Sequence, residues 1–162
     1  YIFIFVFIIL FTTFFVYVKR EIIILFVVDM MFDRYICYVG VCKGEDFILI
    51  KPLTFMNESG AAVTAALAYY KLSPQELIVI QDDLDIELGK YKISVDSRSA
   101  GHNGVQSIID RLKTKNFKRI RIGIKTPALE KIPAEKFVLQ KFNDEEEKKI
   151  LGLMAEIIKQ IK

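Results

Sequence analysis

From Asp46 onward short apolar runs alternate with longer segments whose apolar residues recur every three or four positions, and glycine or proline separates the two kinds. Phe47 to Ile50 reads as a strand that Pro52 ends, because proline lacks the amide a ladder needs. A helix is expected to start near Asn57 to Ser59 and run to about Lys71, with Val63, Ala66, Leu67 and Tyr70 along one side. Leu77 to Ile80 is apolar throughout, as in a strand buried on both faces. Lys90 to Val95 reads as a further strand, and Val105, Ile108, Ile109 and Leu112 give a second helical stripe over Val105 to Lys113. Lys118 to Ile124 sets Arg119 and Arg121 against Ile120 and Ile122, the period of a half-buried strand. Asn143 and Glu146 form a capping-box pair before a terminal helix whose face carries Ile150, Leu151, Met154, Ile157, Ile158 and Ile161. Strands interleaved with helices imply an α/β fold, a three-layer α/β/α sandwich with a mixed, mostly parallel central sheet.

The chain has 162 residues, which suits one such domain. Its apolar content is uneven. Tyr1 to Val18 carries no charge and Lys19-Arg20 follows at once, so residues 1–32 form an atypical hydrophobic leader ahead of a domain at 33–162 that reads as incomplete at both ends. Three readings of the leader stand: a membrane anchor with the domain on the cytoplasmic side, a fragmentary or mistranslated start, or two buried strands. A cleaved signal fits less well, because positive charge at the start and small residues at the end are both missing. Cys37 and Cys42, with one distant histidine, cannot assemble a four-ligand zinc site and read as reduced packing residues.

That histidine is the only one in the sequence, and it sits in Gly101-His102-Asn103-Gly104. Glycine on both sides allows a sharp turn and close backbone approach to a ligand, and Asn103 is suited to cap the helix that follows. Two more polar segments accompany it: Lys51 to Gly60, containing Asn57, and Gln81-Asp82-Asp83-Leu84-Asp85. Each is placed where a strand-like run gives out. In an open α/β sheet the carboxyl ends of strands share a crevice, so Asn57, Asp82, His102 and Asn103 could form one site. The aspartate cluster has three readings: a magnesium site, a carboxylate that polarises an imidazole, or a solvated turn. Arg111, Lys113, Lys115, Lys118, Arg119 and Arg121 follow one another without an acidic residue, and Lys90, Lys92 and Arg98 lie just before the histidine loop. Net charge is only +3, so this is a local basic patch of the kind that attracts phosphates, or else a solubilising face.

The segments KPLTFMNESG, DDLD followed by Gly89, SAGHNG, FKRIRIGI and FVLQKF, in this order and spacing, closely resemble bacterial peptidyl-tRNA hydrolase over roughly 46–142. The resemblance implies a monomeric, cytoplasmic hydrolase without metal or cofactor, which cuts the ester between a stalled peptide and the 3′ end of tRNA. It implies that Asp82 orients a general-base histidine, that Asn57 binds near the scissile ester, and that Asn103 holds the attacking water or the terminal adenosine. Phe55 and Met56 would belong to the substrate-binding wall, with His102 lining the cleft rather than acting as base. Lys92 and Arg121 would contact the phosphate of the acceptor stem.

The departures are equally specific. Nothing resembling the family's glycine-asparagine-proline-glycine loop or its arginine-histidine-asparagine appears before Lys51, so the base has no counterpart. Ser94 stands where a second phosphate-contacting lysine is expected, and Ala100 replaces a usual glycine. The expectation is therefore a chain that keeps affinity for tRNA ends and hydrolyses little. The alternatives are a non-enzymatic, membrane-tethered RNA-binding relative, as in a chloroplast splicing factor that the chain also resembles, and a magnesium-dependent phosphoryl-transfer enzyme built on the aspartates.

Overall fold

The computed structural model describes the backbone at residues 13–19, 27–28, 38–41, 47–51 and 54–161, and side chains from Thr54 onward except at 154, 155 and 158–161. Among the described residues seven strands make one sheet: β1 (Thr13–Lys19), β2 (Val27–Val28), β3 (Tyr38–Val41), β4 (Phe47–Lys51), β5 (Leu77–Glu87), β6 (Tyr91–Val95) and β7 (Lys118–Lys125). Their order is β3-β4-β1-β5-β7-β6, with β2 paired to β1. The helices are α1 (Ser59–Tyr70), α2 (Asn103–Leu112), α3 (Ala134–Phe137) and α4 (Asp144–Ile161).

The unbroken apolar run at the start of β5 explains the layering. Alternate residues of a strand point to opposite faces. Leu77 and Val79 accordingly pack with Val63 and Leu67 of α1, Val105 and Ile108 of α2, and Phe117. Ile78 and Ile80 join Ile120, Ile122, Leu153 and Ile157 on the other face, where α4 lies. The expected sandwich of helices on both sides of a mixed sheet is thus present.

The balance of strand directions differs from expectation. Among the described strands only β5 and β7 run parallel, and β1–β2, β1–β4, β1–β5, β3–β4 and β6–β7 are antiparallel. Helices do connect β4 to β5 and β6 to β7, but the first crossover passes over β1, which runs the opposite way between them. The second links strands that pair antiparallel. A helix between two strands therefore does not make them parallel neighbours.

Three local expectations also need correction. β5 does not end before the aspartates; it continues through them to Glu87, with a register break against β7 between Asp83 and Glu87. β7 is not half-buried, because Arg119 is only 2% exposed. On α4 the buried residues include Leu153, whereas Leu151 is 37% exposed. The capping box does form, with the Asn143 amide donating to Glu146 Oε2 at 2.9 Å and the Glu146 amide donating to Asn143 Oδ1 at 3.0 Å.

The hydrophobic leader falls largely outside the described residues, and its described parts, Thr13–Lys19 and Val27–Val28, are strands of the sheet. Cys37 and Cys42 lie outside them too. Among the described residues no helix is long and apolar enough to cross a membrane.

Candidate functional site

Once β5 has passed through the core its side chains turn polar, and Asp82 is left partly exposed beside the first turn of α2. His102 meets it there. His102 Nε2 lies 3.3 Å from Asp82 Oδ1, and both side chains are only slightly exposed, at 12% and 13%. The other ring nitrogen, Nδ1, accepts the amides of Gly104 at 3.1 Å and Val105 at 3.4 Å. The helix cap is therefore His102, and Asn103 is the first residue inside α2. Asn103 was the expected cap because its side chain is of the usual type; here imidazole Nδ1 does the same work one residue earlier. A nitrogen that accepts two amides carries no proton, so the ring proton sits on Nε2 and points to the carboxylate.

The upstream segment reaches the same place. Met56–Glu58 forms a single 3-10 turn that leads directly into α1. The Ser59 hydroxyl closes it by donating to the Met56 carbonyl at 2.6 Å. Met56 then packs against Gly104, where an added Cβ would stand 2.5 Å from Met56 Sδ and 3.2 Å from His102 Cε1. A side chain there would have to displace Met56 Sδ, because the two loops touch. α1 and α2 are held together behind them by the Gly60 amide, which donates to Ser107 Oγ at 3.0 Å. Asn57 and Asn103 are both exposed, and Phe55 beside them is 61% exposed. The turn bearing Asn57, the carboxylate of Asp82 and the His102-Asn103 loop are thus brought together.

The aspartates do not converge. Asp82 faces His102, whereas Asp83 Oδ2 accepts from Arg121 Nε at 2.6 Å and Asp83 Oδ1 accepts the Asp85 amide at 3.0 Å. Among the described residues no three His, Cys, Asp or Glu side chains gather around a common point.

The basic patch also divides. Arg111, Lys113 and Lys115 are exposed near the end of α2, Arg121 is tied to Asp83, and Arg119 is buried. Lys92 is exposed and stands directly opposite Arg121 across β6 and β7. Ser94 faces Arg119 in the same register, with its hydroxyl buried and without a hydrogen-bond partner.

Two contributors escape a reading of the sequence. Gln81 and Arg119, at 1% and 2% exposure, join through a hydrogen bond of 3.1 Å from Arg119 Nη1 to Gln81 Oε1. Burial holds the Arg119 guanidinium below the ordinary arginine range, the like charge of Arg121 adds to this, and Asp83 opposes it. The available signal was a cation beside Ile120 in a strand that also carries Ile122 and Ile124.

Comparison with known proteins extends the motif match. Residues 22–162 match the family model described as peptidyl-tRNA hydrolase, beyond the span that the motifs cover. The chain is 47% identical over 116 residues to a peptidyl-tRNA hydrolase of Aquifex aeolicus, covering 72% of this chain and 60% of that protein. It is 37% identical over 134 residues to one of Mycoplasma mycoides, covering 74% and 69%. A crystal structure of peptidyl-tRNA hydrolase from Acinetobacter baumannii superposes with a TM-score of 0.66 at 28% identity, covering 76% of this chain and 62% of that one. The chain thus spans about three fifths of the length of such relatives.

Proposed function

Because the chain belongs to the peptidyl-tRNA hydrolase family, we propose that its cleft receives the 3′ end of peptidyl-tRNA and the ester that joins it to the peptide. The observation that supports this best is the Asp82–His102 pair, 3.3 Å apart, beside the Met56–Glu58 turn. In this reading Asn57 and Asn103 donate to and accept from the ester region. Met56 and Phe55 form the wall, where an exposed aromatic ring suits stacking on a base. Lys92 and Arg121 meet backbone phosphate, and Asp82 is the carboxylate that orients an imidazole. The setting is the cytoplasm, the chain acts as a monomer, and the nucleophile is water.

The same geometry bears on rate. These 162 residues hold one histidine, and its two ring nitrogens are committed to the α2 cap and to Asp82. Using His102 as a base would forfeit the cap. General-base catalysis contributes roughly a hundred- to ten-thousand-fold, so the proposal is a chain that binds tRNA ends and hydrolyses slowly. That commitment of His102 also favours a second reading, a non-enzymatic RNA-binding member of the family.

The test pairs binding of an acceptor-stem RNA ending in CCA with single-turnover hydrolysis of diacetyl-lysyl-tRNA in EDTA. Salt-sensitive binding with slow, EDTA-resistant release of peptide is expected. Binding with no release above the uncatalysed rate selects the second reading, and absence of binding overturns both. Release abolished by EDTA overturns the metal-free reading, and release as fast as that of the Aquifex aeolicus relative overturns the impairment.

A further inference from the structure

We propose that Arg119 is a positioning residue: its buried guanidinium sets the Asp82–His102 pair by tying the polar end of β5 to the loop that leads into α2. The inference rests on the reading of that pair as part of the substrate cleft. Arg119 Nη1 donates to Gln81 Oε1 at 3.1 Å, and Gln81 Nε2 in turn donates to the Asp82 carbonyl at 3.3 Å. On its other side Nη2 donates to Ser97 Oγ and to the Arg98 carbonyl, the latter at 2.7 Å. The loop continues to Ser99, whose carbonyl accepts the His102 amide at 3.2 Å and whose hydroxyl donates to Gln106 Oε1 on α2 at 2.7 Å. One arm of the guanidinium thus reaches the Asp82 backbone through Gln81, and the other holds Ser97 and Arg98, next to the Ser99 that accepts the His102 amide.

Stability alone gives no reason for a cation here. The acceptors of the guanidinium are a side-chain amide, a hydroxyl and a carbonyl, all neutral. The nearby carboxylate, Asp83, is already bonded to Arg121. Burying charge against neutral partners is costly, and apolar replacements of buried ions are often neutral or stabilising. What arginine offers is a rigid, planar fork whose donors reach acceptors in different directions at once, which lysine and methionine lack. The strand register fixes its base, since Val79 opposes Arg119 and Asp82 opposes Ile122 across β5 and β7.

The single histidine makes the test direct. In the full chain, uniformly labelled with 15N and freed of any tag, the imidazole long-range 1H–15N correlation reports one ring. Wild type is expected to show a bare Nδ1 and a protonated Nε2. Arg119→Met and Arg119→Lys, checked for folding by circular dichroism and urea denaturation, are expected to lose that single-tautomer pattern and shift toward an averaged ring. Ser97→Ala, which removes one acceptor and no charge, is expected to shift the ring in the same direction by less. A purely structural Arg119 would lower the unfolding midpoint and leave the ring of the folded protein unchanged, and that result overturns the proposal. Should both Arg119 variants fail to fold, an unaltered ring in Ser97→Ala overturns it equally. None of these readouts requires hydrolysis, so loss of tRNA binding in wild type would refute the functional reading without touching the clamp.

Discussion

His102 donates its Nε2–H to Asp82 Oδ1 across 3.3 Å while its Nδ1 closes the start of α2, so one ring links a carboxylate within β5 to the backbone of the helix. Loss of an N-cap costs about 0.5–2 kcal/mol. His102→Ala should therefore cost about 1 kcal/mol or more, because it also leaves Asp82 without its imidazole partner. Asparagine can accept the same helix amides but cannot reach Asp82 through a ring. His102→Asn should accordingly retain most of the stability and still lose the coupling to Asp82. Urea denaturation of the two variants checks this, and equal destabilisation by both would mean that the cap contributes nothing.

Ala100 has a φ of 52°, in the left-handed region that the family's usual glycine adopts without penalty. A side chain there costs roughly 1–2 kcal/mol. Glycine returns about 0.4–1 kcal/mol of this through its greater freedom in the unfolded chain. Ala100→Gly should thus stabilise the protein by up to about 1 kcal/mol, seen as a higher urea midpoint with unchanged slope. A lower midpoint would show that the loop bears no strain at this residue.

Elements with strong periodicity could be read in the sequence because their signal is local. Val63 and Leu67 face the core as their spacing requires, and the Asn143–Glu146 box forms because both partners lie within one turn. Strand direction was not legible, since it depends on which distant strand becomes the neighbour, and β1 between β4 and β5 cannot be inferred from β4, α1 and β5 themselves. The burial of Arg119 was not legible, because an alternating pattern looks the same whether the polar residues meet water or buried acceptors. The site residues were legible as three segments, but the division of labour among Asp82, Asp83 and Asp85 was not. Which carboxylate takes Arg121 and which takes His102 is decided by neighbours on β7 and α2.

The close approach of α1 and α2 behind the site depends on Gly60. A Cβ there would lie 2.1 Å from the Ser107 carbonyl oxygen, a backbone atom that cannot swing aside. Overpacking of this kind costs about 1–3 kcal/mol. Gly60→Ala should destabilise by at least that amount, and in the surviving folded fraction it should separate the Met56 turn from Gly104. Thermal unfolding gives the first effect; weakened acceptor-stem binding at temperatures well below the transition gives the second. A variant as stable as wild type would contradict the packing of these helices.

Lys92 and Arg121 occupy opposite positions on neighbouring strands, yet replacing them should have different consequences. Lys92 is exposed, so Lys92→Ala should leave stability unchanged and weaken RNA binding uniformly. The slope of log affinity against log salt should fall by about 1, as one phosphate contact is lost. Arg121 is bonded at 2.6 Å to Asp83, whose side chain is only 5% exposed. Arg121→Ala strands a buried carboxylate, a change that costs about 3–5 kcal/mol. Its apparent loss of RNA affinity would then mix a missing contact with a perturbed β5. Pairing Arg121→Met with Asp83→Asn removes both charges together and should restore much of the stability while the salt slope stays reduced. If the double variant regained the full slope, Arg121 would be a purely internal partner of Asp83 and Lys92 alone would meet the phosphate.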